Sequence, residues 1–228
     1  MTTIALNLQA VRRRIERAAL ESGRPASGIA LLAVSKTVPA SYIEEARSAG
    51  QKAFGESYVQ EAVKKVTALG SAGLDWHFIG PIQSNKTRAI AEHFQWVHTI
   101  DRDKVAARLS AARPPELPPL DVCIQVNVSG EASKSGVTPG AERVLAEAIS
   151  KLPGLRLRGL MAIPEPTEDV SLQRERYAYL RELRDDLAKA GYPLDTLSMG
   201  MSDDLEAAIA EGATIVRVGT AIFGHREI

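Results

Sequence analysis

The chain has 228 residues, 45% hydrophobic and 25% charged, with Lys plus Arg equal to Asp plus Glu at 28 each. That is the balance of an ordinary globular protein with room for a sizeable core. Zero net charge and the lack of any block of like charge argue against a nucleic-acid or anionic-membrane partner.

The first segment, residues 4–22, reads as an amphipathic helix. Ile4, Leu8, Val11, Ile15, Ala18 and Ala19 recur at helical spacing, and Gly23 and Pro25 stop it. Its arginines lie inside that pattern and no long apolar core follows, so it is not a signal peptide. No apolar run reaches the ~18 residues of a membrane span. The expected location is the cytoplasm.

From there the chain alternates. Apolar runs at residues 29–37, 52–56, 76–80, 96–101, 122–128, 155–163, 196–202 and 214–224 are strand candidates. Helical patterns occupy 40–49, 58–68, 85–93, 102–112, 139–151, 172–190 and 203–211. Each is long enough to cross over a sheet, so neighbouring strands are expected to be parallel. Eight parallel strands point to a single α/β (β/α)8 TIM barrel over residues 1–228, with an extra N-terminal helix. An open doubly wound sheet is the alternative, but no G-x-G-x-x-G follows the first strand. No helix is expected after strand eight, and the N-terminal helix would cover that surface. The proline-rich "RPPELPPL" before strand five and "IPEPTED" after strand six read as stiff loops. Cys123, the only cysteine, excludes an internal disulfide, and its place in "DVCIQVNV" suits a buried structural thiol.

In such barrels function gathers at the C-terminal ends of strands. Within "LLAVSKTVPA", Lys36 comes at the end of the apolar run and shares a strand face with Val34, Leu32 and Ala30. Facing inward, its amine would emerge at the barrel mouth, where partial desolvation makes it nucleophilic towards a carbonyl. Facing outward, it is a solvated strand-end lysine. Lys86 and Lys134 are weaker candidates, in helix-start or loop sequence.

In "TIVRVGTAIFG", Arg217 lies within a β-branched run, where an unpaired charge is expensive. Arg217 and Gly219 share a face, about 6.6 Å apart along a strand, comparable to a small aromatic phosphate. Gly219 and Thr220 can offer amide and hydroxyl donors. The other reading pairs Arg217 with a barrel acid such as Glu56. Ser202, in "LSMGMSDDLEAAIAEGA", reads either as the N-cap of the following helix or as a phosphate ligand. For the second, Asp203 and Asp204 must point away. His77 and His98 come from neighbouring strand ends, but no third histidine lies at suitable spacing, so a zinc site is not expected. His93 reads as helix surface and His225 as tail.

The stretches "LLAVSKTVP", "FGESYVQEAVKK", "WHFIGPIQSNK", "QVNVSGEASKSG", "LRGLMAIP", "LSMGMSDDLEAAIAEGAT" and "VRVGTAIFG" together resemble the pyridoxal phosphate homeostasis protein family. Its members are single-domain relatives of the alanine racemase barrel, of PLP fold-type III. The resemblance implies that Lys36 carries pyridoxal 5'-phosphate (PLP) as a lysine aldimine. By it Arg217 faces the pyridine nitrogen, Ser202, Gly219 and Thr220 hold the phosphate, and Met161 lies near the ring. Ser57 stands where the family usually has asparagine, so any contact there is weaker or water-mediated.

The resemblance further implies a cytoplasmic carrier or regulator of PLP without established catalysis, with PLP-dependent apo-enzymes as candidate recipients. A monomer is expected, since no partner helix stands out. An arginine at the pyridine nitrogen disfavours its protonation and weakens the ring as an electron sink. A racemase also needs a second base, and Tyr42, Tyr58, Tyr177, Tyr179 and Tyr192 all fall in predicted helices or helix ends. The alternatives are a PLP-dependent amino-acid racemase and an imine-forming aldolase acting on a sugar phosphate.

Overall fold

All eight apolar runs form strands, and those strands close on themselves. In the computed structural model, which describes residues 2–70, 73–130 and 135–224, they are β1 (Ala30–Val34), β2 (Ala53–Glu56), β3 (Asp75–Phe78), β4 (Trp96–Ile100), β5 (Leu120–Gln125), β6 (Leu155–Met161), β7 (Thr196–Ser198) and β8 (Ile215–Val218). They pair in sequence order as a closed parallel barrel. The seam joins β1 to β8 in the register Ala30↔Ile215 to Ala33↔Val218. Closure excludes the open doubly wound sheet.

The crossovers are α2 (Ala40–Ser48), α3 (Val59–Leu69), α4 (Thr87–His93), α5 (Asp103–Ala112), α6 (Glu142–Ser150), α7 (Val170–Lys189) and α8 (Leu205–Ala210). Each lies within two or three residues of its expected bounds. The observed strands are shorter than the apolar runs, because the runs continue into the loops at the barrel mouth. "RPPELPPL" is the loop between α5 and β5, pinned by Arg113 donating to Pro118 O at 2.8 Å.

One expectation is corrected. A one-turn helix, α9 (Thr220–Phe223), does follow β8. The N-terminal helix α1 (Thr3–Glu21) packs beside it, with Asn7 Nδ2 donating to Ile222 O at 2.9 Å. The buried stripe of α1 is Ile4, Leu8, Val11, Ile15, Ala18 and Ala19, the residues its periodicity picks out.

Strand alternation sorts the residues into two cores. Phe54, Trp76, Phe78, Val97, Leu197, Val216 and Val218 join the apolar layer between sheet and helices. Their strand neighbours, Gly55, His77, His98, Ser198 and Arg217, point inside the barrel. The barrel interior is therefore unusually polar, and Arg217 enters it because Val216 and Val218 claim the helix side.

Candidate functional site

A cavity of about 640 Å³ opens at the C-terminal ends of the strands. That is the size range of ligand pockets, about 300–1,000 Å³. Lys36, Ser57, Ser202, Arg217, Gly219 and Thr220 all border it. They lie just after β1 and β2, in the β7–α8 loop, and from β8 into the start of α9, so the barrel gathers residues up to 184 positions apart. Met161 does not border the cavity. It is fully buried on β6, and Met201 supplies the methionine of the lining.

Lys36 stands one residue beyond Ser35, half-buried, with Val34 beside it in the cavity wall. The inward reading therefore holds for its position. Lys86 borders a separate cleft with Tyr58 and Gln83. Lys134 and His225 lie outside the described residues.

Arg217 is buried, yet no ion pair among the described residues includes it. Its Nη1 donates to Ser198 O at 2.6 Å and to Ser198 Oγ at 2.9 Å, and its Nη2 donates to Ala162 O at 2.8 Å. These bonds use three of the guanidinium's five donors. Burial lowers its pKa, but a guanidinium stays cationic near neutrality. The pairing with Glu56 is overturned: Glu56 lies on the helix side of β2 and binds Lys65 of α3 at 2.9 Å.

Behind Arg217 a chain of polar groups runs down the barrel. Ser198 Oγ lies 2.7 Å from His98 Nδ1, and His98 Nε2 lies 2.9 Å from His77 Nδ1. Arginine can only donate, so Ser198 Oγ accepts from it; the tautomer in which Ser198 Oγ gives its own proton to His98 Nδ1 is consistent with that contact. In that tautomer His98 carries its proton on Nε2 and donates to His77. Burial lowers both histidines, His77 to about 3 and His98 well below its ordinary value, so both rings are neutral. His77 stacks on Trp96, centroids 5.4 Å apart. Among the described residues no group of three or more His, Cys, Asp or Glu is arranged for a metal. Cys123 is buried beside this chain, and burial pushes its thiol up.

The loop after β7 differs from its expected form. Ser202 is not the N-cap of α8; that position is Asp204. Asp204 Oδ1 accepts from Met201 N at 2.6 Å and Oδ2 from Tyr177 OH at 2.7 Å. Its carboxylate is thus turned into the fold and away from the cavity, which resolves the clash with an anion there. Asp203 remains on the cavity rim. Gly80 meets the backbone of Ser57 so closely that a Cβ would stand 2.2 Å from Ser57 O, which fixes Ser57 at the rim.

Two features escape a reading of strand ends. Arg14 of α1 reaches the cavity rim, donating to Ser202 O at 2.9 Å and pairing with Glu206 at 2.8 Å. Ser198 escapes because a serine in a strand carries no sign of its partner; only the alternation of β7 could have placed it with Arg217.

Residues 6–227 match the family described as "Alanine racemase, N-terminal domain". The chain is 62% identical to the "Pyridoxal phosphate homeostasis protein" of Pseudomonas aeruginosa, over 100% of this chain and 97% of that one. It is 56% identical to the protein of the same description from Escherichia coli, over 100% and 98%. Among solved structures it resembles PipY of Synechococcus elongatus with PLP bound, at 36% identity and a TM-score of 0.81, over 97% of this chain and 100% of that one.

Proposed function

The chain belongs to the alanine racemase N-terminal domain family, and from that premise we propose that it is a PLP-binding protein of PLP homeostasis, acting as carrier or regulator rather than catalyst. One observation carries the reading: an amine, Lys36, and a buried guanidinium without a carboxylate partner, Arg217, border the same cavity.

The donor set fits the cofactor. Lys36 offers a primary amine for an aldehyde. Ser202 and Thr220 bring hydroxyls, and Gly219 brings backbone at the first turn of α9, where phosphate is favoured. Arg217 holds a fixed positive charge in the cavity and so opposes protonation of a ring nitrogen placed beside it. Ser57 offers one hydroxyl at the rim. Met161 supports the barrel beneath the cavity rather than touching its contents. When bound, PLP supplies an aldehyde for covalent attachment and a conjugated ring able to delocalise charge.

Retention without turnover is supported by what borders the cavity. Among the described residues neither a tyrosine nor a histidine does so. Tyr177 is buried on Asp204, and His77 and His98 lie behind Arg217. Racemisation needs a base on each side of the substrate, and besides Lys36 the lining offers only the rim carboxylate of Asp203. Among the described residues no helix is long and apolar enough to cross a membrane. A cytoplasmic monomer of one domain that passes PLP to apo-enzymes completes the proposal.

The test is reduction with borohydride after incubation with PLP. A PLP-sized mass is expected on the peptide holding Lys36. An adduct on Lys86 or Lys134 instead overturns the assignment, and enzyme-dependent conversion of an L- to a D-amino acid, lost in Lys36→Ala, overturns the non-catalytic reading.

A further inference from the structure

We propose that Glu61, Lys65 and Glu56 are positioning residues for Lys36: a charge cluster that grips the main chain on both sides of it. The inference rests on Lys36 as the point of cofactor attachment.

The cluster sits where α3 crosses the ends of β1 and β2. Lys65 Nζ donates to Ser35 O at 2.7 Å, to Glu56 Oε1 at 2.9 Å and to Glu61 Oε1 at 2.5 Å. Those three bonds use all three ammonium protons. Ser35 Oγ donates to the same Glu56 Oε1 at 2.6 Å, so Ser35 is held through both its carbonyl and its hydroxyl. On the other side of Lys36, Thr37 N donates to Glu61 Oε1 at 2.7 Å.

Thr37 is the reason a grip is needed. Its φ is +60°, the only positive φ at a non-glycine position among the described residues. A β-branched residue avoids that region, and a conformation of this kind persists only where the surroundings over-determine it. Glu61 provides that determination. The left-handed turn directs the chain away at once after Lys36 and leaves the lysine side chain in the cavity. Of residues 35, 36 and 37, only the middle one points its side chain there.

The burial of Lys65 is hard to explain by stability alone. It lies within the buried stripe of α3, between Ala62 and Val66, where an apolar residue would pack without desolvating charge. Glu56 is fully buried, and its Oε2 has no hydrogen-bond partner. A cluster that is expensive to bury, and whose donors converge on the two residues flanking one lysine, is arranged to fix that lysine.

Glu61 is partly exposed, so Glu61→Ala should fold. Two measurements on the full chain are made. The first, without cofactor, is amide hydrogen exchange at Thr37; the second is the rate of borohydride-trappable PLP attachment at Lys36. In Glu61→Ala, Thr37 exchange should rise and attachment should slow by about tenfold, as loss of a charge-assisted hydrogen bond implies. Adding Thr37→Gly, which tolerates positive φ, should restore most of the rate. Unchanged Thr37 exchange, a wild-type attachment rate in Glu61→Ala, or no recovery with Thr37→Gly overturns the clamp. Absence of any wild-type adduct at Lys36 overturns the cofactor reading instead, and the exchange measurement alone then decides whether Glu61 holds Thr37.

Discussion

Arg217 and Ser198 are bonded twice, from one guanidinium nitrogen to both the carbonyl and the hydroxyl of the serine. The serine hydroxyl thereby accepts from the guanidinium on one side and meets His98 Nδ1 on the other. Arg217 is joined through it to His98 and His77.

Arg217→Ala should both destabilise the barrel and loosen the cofactor. It removes the guanidinium from the carbonyls of Ser198 and Ala162, leaving Ser198 O only the longer bond from Ala162 N at 3.3 Å. Bonds to a charged group contribute about 1.5–3 kcal/mol, or roughly tenfold to a hundredfold in affinity. Dialysis equilibrium with PLP and the absorption spectrum of the bound form check this. Arg217→Lys should recover only part of the loss, because an ammonium cannot reproduce the fork. Wild-type spectrum and affinity in Arg217→Ala would mean that the arginine is purely structural.

Stability should fall below about pH 6.5, the ordinary histidine value. Burial holds His77 down at about 3 and His98 low as well. In that window the unfolded chain takes up protons that the folded chain refuses, so lowering pH favours unfolding, by about 1.4 kcal/mol per unit for each histidine. Urea unfolding at pH 7.5 and pH 5 measures it. His98→Gln, which cannot titrate, should shrink the difference by about 2 kcal/mol; a difference as large as wild type would refute the assignment.

Gly80→Ala should cost about 1–3 kcal/mol, the usual range for overpacking. Its Cβ would have to displace the Ser57 backbone, which stands 2.2 Å away. A lower urea midpoint and weaker PLP binding are expected together, since Ser57 borders the cavity. An unchanged midpoint would show that the strand ends yield freely.

Tyr177→Phe should cost about 1 kcal/mol, the net worth of a typical hydrogen bond, by removing the donor to Asp204. Asp204→Ala should cost more, because Met201 N loses its acceptor as well. Thermal melting of the two variants gives the order, and the reverse order would mean that Asp204 does not organise the β7–α8 loop.

The barrel was legible because its strands and crossover helices repeat a simple rhythm, and six of the seven candidate residues lie together on one cavity because they sit at or just after the ends of those strands. Met161, which the resemblance put near the ring, is buried at the end of β6 outside that lining. Of the two readings of Ser202, the cap fails because the loop continues to Asp204, the actual N-cap, whose carboxylate accepts from Met201 N and Tyr177 OH. The clamp around Lys36 was hidden in α3. Its trace was Lys65 standing in an apolar stripe with Ala62 and Val66, four residues after Glu61. A lysine in that place reads as surface until the fold puts Ser35 beneath it.

The seam between β1 and β8 sets an order of events during synthesis. Lys36 emerges from the ribosome long before Arg217. Until residues 215–218 are made, β1 has an unpaired edge and α1 lacks the surface formed by α8 and α9. Closure by such distant partners is slow relative to local helix formation. The cavity is therefore complete only once β8 has been translated, and a product truncated before it carries Lys36 without Arg217, Gly219 and Thr220 across from it.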